Sequence, residues 1–140
     1  MKDTILRHIL IASITPYFLE KQVFWFQENL EEILTSAKTQ SFFQDNTLFL
    51  EAGKKYEFMP LLRKLDEMGY EKVFTVQDPG EFSQKGGILE IFPITMLHAV
   101  RLDFLGNILE DIQPLAVNID DEEKSKKILQ KKLRSQKLFS

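Results

Sequence analysis

The side chains in this sequence that are best suited to catalysis are two histidines and several paired carboxylates. His8 and His98 lie ninety residues apart, and neither has a second potential ligand at a spacing typical of metal sites. Adjacent acids such as Glu31-Glu32 and Asp120-Asp121 point to different sides of a helix, so they do not form an acid–base pair. The residues therefore predict a chain without catalytic groups.

Nucleotide chemistry is also disfavoured. The sequence has neither a G-x-x-x-x-G-K-[ST] loop nor a G-x-G-x-x-G motif, and its glycine pair, Gly86-Gly87, falls inside a predicted strand instead of opening a helix. The absence of cysteine excludes thiolate nucleophiles, zinc fingers and iron–sulfur clusters. We expect a non-enzymatic protein with no cofactor and no metal.

The composition predicts one globular domain. The chain has 140 residues, of which 44% are hydrophobic and 12 are phenylalanine, and its net charge is −3. Residues 120–140 hold seven Lys and Arg against four Asp and Glu, so the acidic charge is concentrated in residues 1–119. An acidic body argues against a phosphate-binding surface. No apolar run approaches the ~20 residues of a membrane helix and no export signal is evident, so we expect a cytoplasmic protein.

The first third of the chain predicts a strand and a long helix. Residues 8–14 form a β-branched run that Thr15-Pro16 ends. A helical stripe then predicts one helix over about residues 17–36, followed by a polar loop at 38–46. Phe24 and Trp25 lie off the stripe, so they either widen the packed face or form an exposed partner surface.

The middle of the chain predicts a strand, a helix and two further strands. Thr47–Glu51 is the strand, and residues 58–68 form a helix that Gly69 terminates. Strands are then expected at 71–77 and 82–92, joined by a turn at Asp78-Pro79-Gly80 and interrupted by a bulge at Gly86-Gly87.

The end of the chain predicts a hairpin and a charged helix. Residues 100–104 and 108–112 alternate around Gly106-Asn107, a two-residue hairpin signal. From Asp120 the chain has a thin apolar stripe, and we expect this segment to be helical or frayed, or to pack on a neighbouring domain. Segregated strands joined by tight turns predict an α+β fold: a small antiparallel β-sheet with two to three helices packed on it.

One region resembles a known family. Residues 69–73 and 78–93 are similar to the segment "GYxRV…PGEFxxRGGILDIFP" of bacterial transcription-repair coupling factors (Mfd), and residues 100–112 to "VRIEFFGDEIESI" in the same proteins. UvrB carries a related segment, and the Pro-Gly-Glu-Phe and Gly-Gly-Ile-Leu words are closer to those of the coupling factors. The resemblance is specific over about residues 47–113.

The resemblance implies a division of the chain and a partner. Residues 47–113 would form a UvrB/Mfd-like domain that binds UvrA in nucleotide excision repair, residues 1–46 an entry strand with an inserted amphipathic helix, and residues 114–140 a charged terminal segment. The parent protein would be an ATP-dependent DNA translocase. RNA polymerase and DNA would be contacted only through its other domains.

The resemblance also assigns a partner-binding site. The arginines that face UvrA in the family correspond to Lys72 and Lys85, and a further UvrB arginine to Ser83. Lysine keeps the charge but cannot form a bidentate fork with a carboxylate. The flanking residues Glu81, Gly86 and Gly87 complete the expected site. A two-residue loop at Pro79-Gly80 would place both lysines on one face, whereas a three-residue loop would place them on opposite faces.

Other functions remain open at this point. The chain could be a DNA-contacting fragment of a UvrB-like helicase, for which the basic end is the only support. It could also be an autoinhibitory domain that binds another part of its own parent protein. Without the resemblance, Lys72 and Lys85 are ordinary surface lysines of a strand.

Overall fold

The computed structural model describes residues 6–138, with two sheets and six helices. The strands are β1 (His8–Ala12), β2 (Thr47–Glu51), β3 (Glu71–Lys72), β4 (Glu81–Lys85), β5 (Ile88–Ile91), β6 (His98–Leu105) and β7 (Ile108–Asn118). The helices are α1 (Pro16–Leu19), α2 (Val23–Glu28), α3 (Leu30–Thr39), α4 (Ser41–Asn46), α5 (Phe58–Glu67) and α6 (Asp121–Leu138). The predicted α+β class is confirmed.

The five-stranded sheet has the order β3-β4-β5-β6-β7, and β1 pairs with β2 in a separate antiparallel sheet. One face of the larger sheet packs on α5 and on the β1–β2 pair, where Leu65, Leu89 and Ile11 are fully buried. The opposite side of β1 packs against the helices, through Phe18 and Ile128. The strand β1 therefore lies between two apolar clusters.

A buried tyrosine joins β1 to the larger sheet. The hydroxyl of Tyr70 donates a hydrogen bond to the carbonyl of Ala12 at 2.8 Å and accepts one from the backbone N–H of Ile94 at 3.2 Å. Because the side chain is fully enclosed, burial raises the pKa of Tyr70 above its ordinary value. The hydroxyl satisfies two backbone groups that would otherwise be buried without a partner.

The single long helix predicted over residues 17–36 is wrong, because the chain forms three short helices there. The breaks fall between α1 and α2 and at Asn29, where the backbone leaves helical geometry. The helix α2 begins where the backbone N–H of Val23 donates to Oδ1 of Asp121 at 3.2 Å. This cap comes from a distant part of the chain, so local periodicity carries no sign of it.

The loop predicted at residues 38–46 is also wrong, since α4 occupies most of it. Its aromatic residues join a cluster in which Tyr17 contacts Phe42 edge-to-face, with ring centres 5.6 Å apart. Trp25 packs partly into this cluster against Tyr17, whereas Phe24 is 64% exposed. Phe24 and Trp25 thus have different surroundings, although neither lies on the predicted stripe.

The helices α1 to α4 connect β1 to β2, and we call this connection the helical excursion. Its two ends lie next to each other at the β1–β2 sheet. The backbone N–H of Ser13 donates to the carbonyl of Asn46 at 2.9 Å, and its hydroxyl donates to Oδ1 of Asn46 at 2.8 Å. Beside this contact, Ala12 pairs with Thr47 in the antiparallel register. The predicted strand at Thr47–Glu51 is confirmed as β2.

The strand predicted at residues 71–77 is wrong in length and in direction. Only Glu71 and Lys72 are extended, and they pair in parallel with β4, so neither of the two hairpin registers considered from the sequence occurs. The turn at 78–80 is present, with Gly80 at φ +86°. Residues 73–80 form a connection longer than the two-residue loop that can join antiparallel strands.

The single strand predicted at residues 82–92 is a hairpin. Lys85 pairs with Ile88 across the turn Gly86-Gly87, so the glycine pair reverses the chain instead of forming a bulge. The second predicted hairpin, at Gly106-Asn107, is confirmed, since Leu105 pairs with Ile108. The α5 helix and its glycine terminator are confirmed as well, with Gly69 at φ +93°.

The charged end of the chain is helical and packs on the domain. In α6, Ile128 is 3% exposed and lies in the cluster formed by the helices and β1. Lys124 is also buried, and its ammonium group donates to the carbonyl of Ile94 at 2.6 Å and lies 3.2 Å from Oδ1 of Asp121. Ile128 and Lys124 thus both anchor α6 on the domain.

Candidate partner-binding surface

Lys85 lies at the exposed end of β4, next to the Gly86-Gly87 turn. Its ammonium group lies 4.2 Å from the centre of the Phe74 ring, an arrangement that favours a cation. The ring is 81% exposed, which is unusual for a phenylalanine. A cation and an uncovered aromatic ring therefore form one small patch, and the aromatic half was not among the residues expected from the sequence.

Lys72 lies on β3, at the edge of the larger sheet, and its side chain is exposed. In the parallel register it pairs with Phe82, which is three positions before Lys85 on β4. Successive side chains of a strand alternate between the two faces of a sheet. The register consequently places Lys72 and Lys85 on opposite faces of the β3–β4 edge, so they do not share a single flat surface.

Two of the expected site residues are buried. Ser83 is 2% exposed and Glu81 is 8% exposed. The Oε1 atom of Glu81 accepts hydrogen bonds from the backbone N–H groups of Gln77 and Asp78, at 2.9 and 2.8 Å. Its other carboxylate oxygen contacts the ammonium group of Lys131. Glu81 thus holds the connection that carries Phe74.

The two glycines of the expected site have different structural requirements. Gly86 has φ +60° and open space around its Cα, so its need for glycine is conformational. A Cβ on Gly87 would lie only 2.5 Å from the carbonyl oxygen of Phe104. The backbone N–H of Phe104 donates to the carbonyl of Gly87 at 2.8 Å, so this close approach is part of the sheet.

A polar face of the sheet continues from Lys85. The strand register aligns Lys85, Ile88, Asp103 and Asp111 across four strands. Beside this row, Nε of Arg101 donates to Oδ1 of Asp103 at 2.9 Å, and both side chains are partly exposed. The alternation of residues 100–104 is the sequence signal that predicts such outward-facing charges.

The helix α6 brings two lysines to the other side of this region. Lys127 Nζ lies 2.9 Å from Oδ1 of Asp78, and that hydrogen bond raises the pKa of Lys127. Lys131 Nζ lies 3.3 Å from Oε1 of Glu71 and also contacts Glu81. These pairs cannot be recognised from the sequence, because oppositely charged residues about fifty positions apart have no local pattern.

The candidate metal and catalytic residues do not assemble. His8 and His98 belong to different sheets, and the ring of His8 lies tilted against that of Phe49, with ring centres 5.2 Å apart. Within residues 6–138, no group of three or more His, Asp and Glu side chains is arranged to hold a metal ion. In the same part of the chain, no helix combines the length and apolar character that a bilayer crossing requires.

Comparisons with known proteins match a large part of this chain. The family model of the UvrB interaction domain matches residues 48–139. The chain is 42% identical over 71 residues to UvrABC system protein B of Campylobacter hominis, a match that covers 50% of this chain and 11% of the relative. It is 33% identical over 79 residues to the transcription-repair-coupling factor of Bacillus subtilis, covering 56% of this chain and 6% of the relative. A third relative, UvrABC system protein B of Thermus thermophilus, is 36% identical over 70 residues, covering 50% of this chain and 10% of the relative.

Proposed function

The chain belongs to the UvrB interaction domain family, and from this premise we propose that it is a protein-binding module that docks UvrA in nucleotide excision repair. The chain spans about a tenth or less of the length of the relatives it matches. An ATP-driven translocase activity and contacts with RNA polymerase or DNA are accordingly proposed for other domains of a parent protein in the cytoplasm. Of the two kinds of relative, we propose that the parent protein is a transcription-repair coupling factor. The reason is that the Pro-Gly-Glu-Phe and Gly-Gly-Ile-Leu segments within residues 79–89 are closer to those of the coupling factors.

The observation that carries the proposal is the exposed pair formed by Lys85 and Phe74. The ring is almost uncovered, and the ammonium group is held 4.2 Å above it. Phenylalanine is among the aromatic residues that are enriched in protein interfaces relative to the rest of the surface. A partner with an acidic surface would pair with the cation while it covers the ring.

The geometry indicates how both lysines could serve one partner. Because Lys72 and Lys85 point to opposite faces of the β3–β4 edge, we propose that UvrA contacts the edge from both sides and not one flat face. β3 is the last strand of the larger sheet, and no other strand of residues 6–138 pairs with its outer side. In this arrangement Gly86 and Gly87 let the partner approach the backbone, and Ser83 and Glu81 support the site from within the domain.

The proposal is tested by titration calorimetry with UvrA from the organism that encodes the chain. We expect Lys72→Glu and Lys85→Glu each to weaken binding about tenfold or more, equivalent to ~1.4 kcal/mol, because attraction to an acidic surface becomes repulsion. The double variant Lys72→Arg, Lys85→Arg should bind at least as tightly as the parent, because arginine can form a bidentate fork.

Lys126→Glu is the matched control. Lys126 carries the same charge on the exposed side of α6, where its ion pair is with Glu122 of its own helix. The free energy of unfolding of each variant should lie within about 0.5 kcal/mol of the parent's value, as is usual for surface substitutions. If Lys72→Glu and Lys85→Glu bind UvrA as the Lys126→Glu control does, the two lysines are ordinary surface residues and the proposed docking site is wrong.

The DNA-binding alternative loses support from the structure. Its only basis was the basic end of the chain, and Lys124, Lys127 and Lys131 of that segment are engaged in ion pairs with Asp121, Asp78 and Glu81. A lysine neutralised in this way releases fewer counterions from DNA. A salt-dependent mobility shift of duplex DNA by the 140-residue chain would reverse this preference.

A further inference from the structure

Three carboxylates surround the connection between β3 and β4. Asp78 lies in the turn, Glu81 begins β4, and Glu71 directly precedes Lys72 in β3. Without neighbouring cations, these groups would give the edge that carries Lys72 a negative potential. An acidic edge would repel the acidic partner surface that the proposed function requires.

The helix α6 places a cation against each of these carboxylates. Lys127 pairs with Asp78, and Lys131 lies between Glu71 and Glu81, with its side chain only 17% exposed. Lys127 and Lys131 are four residues apart, so they lie on the same side of the helix. The four-residue spacing therefore allows both lysines to face the three carboxylates at the same time.

The position of α6 is fixed independently of these pairs. Ile128 is buried in the cluster around β1, and the ammonium group of Lys124 is held by the carbonyl of Ile94. A helix anchored at these two points cannot move along the domain without breaking both contacts. Lys127 and Lys131 are consequently presented to the β3–β4 connection by a fixed support.

The pairs also order the backbone that carries Phe74. One carboxylate oxygen of Glu81 accepts the N–H groups of Gln77 and Asp78, and the ammonium group of Lys131 contacts the other oxygen. Ion pairs that are partly shielded from water hold their geometry better than exposed ones. Contacts of Glu81 therefore link α6 to the connection that carries the exposed ring of Phe74.

We propose that Lys131 and Lys127 are positioning residues for partner docking: they neutralise the acidic edge beside Lys72 and hold the connection that presents Phe74. This role rests on the proposed UvrA-docking function. Neither lysine needs to touch the partner. Both residues lie within residues 48–139, the range that the family model matches, so the proposal gives α6 a role inside that domain.

The test uses two measurements on Lys131→Gln, Lys127→Gln, Lys131→Arg and the control Lys126→Gln. Titration calorimetry gives the affinity for UvrA, and amide hydrogen exchange of Gln77 and Asp78 reports the ordering in the absence of any partner. We expect Lys131→Gln to weaken binding about fivefold and to speed exchange at both amides, because Glu81 loses its cation. Lys131→Arg keeps the positive charge, so its affinity for UvrA and its amide exchange rates should match those of the parent.

Lys127→Gln should produce a smaller loss, since Lys127 is more exposed, and it provides a milder variant if Lys131→Gln unfolds. Lys126→Gln removes the same charge from the same helix and should match the parent in both measurements. The inference is overturned if folded Lys131→Gln or, failing that, folded Lys127→Gln matches Lys126→Gln in affinity and in exchange.

The two proposals fail in different ways. If Lys72→Glu and Lys85→Glu leave UvrA binding unchanged, the docking site is wrong, and the docking role of α6 is overturned with it. If those reversals weaken binding while Lys131→Gln and Lys127→Gln do not, the docking site stands and only the positioning role is wrong. Faster exchange with unchanged affinity would reduce the lysines to a purely structural role and would likewise overturn the inference.

Discussion

The ammonium group of Lys85 lies 4.2 Å from the centre of the Phe74 ring, although the two residues belong to separate segments of the chain. Phe74 follows β3, and Lys85 ends β4. Their contact joins the connection that follows β3 to the end of β4, and it leaves the outer side of the ring exposed. An exposed cation–π pair adds only about 0.5–1 kcal/mol to stability, so the exposed ring is better explained by binding than by folding.

Phe74→Ala should weaken UvrA binding about tenfold while changing the free energy of unfolding by less than ~1 kcal/mol. The matched control is Phe24→Ala, because Phe24 is also strongly exposed but lies on α2, outside the larger sheet. Calorimetric titration and thermal melting of both variants check this prediction. Equal affinities for UvrA would show that Phe74 is not part of the interface.

The two glycines of the β4–β5 turn should respond differently to substitution. Gly87→Ala should cost about 2 kcal/mol or more, because the new Cβ would overlap the carbonyl oxygen of Phe104. Gly86→Asn should cost under ~1 kcal/mol, since asparagine tolerates positive φ and the space is open. Urea unfolding measures both. A Gly87→Ala variant as stable as Gly86→Asn would contradict the close strand contact.

Stability should fall at alkaline pH because of Tyr70. Folding raises the pKa of this phenol, so as the pH rises above 10.0 the unfolded chain loses the proton before the folded chain does. The contribution of Tyr70 is fully present below that pH and disappears above it. Urea unfolding at pH 8 and pH 10.5 should show a steeper loss in the parent than in Tyr70→Phe. Tyr17→Phe, a change at a partly exposed ring, should follow the parent.

The buried lysine of α6 predicts an asymmetric effect within one ion pair. Asp121→Asn should cost about 2 kcal/mol, because it leaves the ammonium group of Lys124 buried without its counterion. Lys124→Met should cost only about 1 kcal/mol, because the remaining carboxylate is partly in water. Asp120→Asn is the control, as asparagine also caps helices well. Equal losses in the first two variants would contradict this account.

The elements that the sequence predicts well are those specified by local chemistry. Gly69 ends α5 with the positive φ that its position after an apolar stripe predicts. The Gly106-Asn107 turn aligns β6 with β7 as a two-residue loop should. In both cases the residues that determine the geometry are adjacent in the chain.

The errors arise where distant contacts decide the structure. A continuous apolar stripe predicts one helix, but Asp121 caps α2 from a remote position and the helix is divided. The turn at Asp78-Pro79-Gly80 is real, yet β3 pairs in parallel with β4, and the side chain of Glu81 holds the connection between them. Neither contact leaves a periodic signal.

The candidate site is partly predictable for the same reason. The resemblance identifies Lys72 and Lys85 by their places in a motif, but it does not identify Phe74 or Lys131. Phe74 is recognised only from its exposure, and Lys131 only from its contacts with Glu71 and Glu81. Exposure and long-range ion pairing are properties of the folded chain and not of local sequence.

The hydrogen bonds between Ser13 and Asn46 have a consequence for how this domain can vary and be engineered. They bring both ends of the helical excursion together beside the Ala12–Thr47 pair, so the alignment of β1 with β2 does not depend on the length of the excursion. Insertions at the junction of α3 and α4 should leave both sheets in place. A fluorophore or affinity tag built into that junction should leave unaltered the β3–β4 edge, where we propose that UvrA docks.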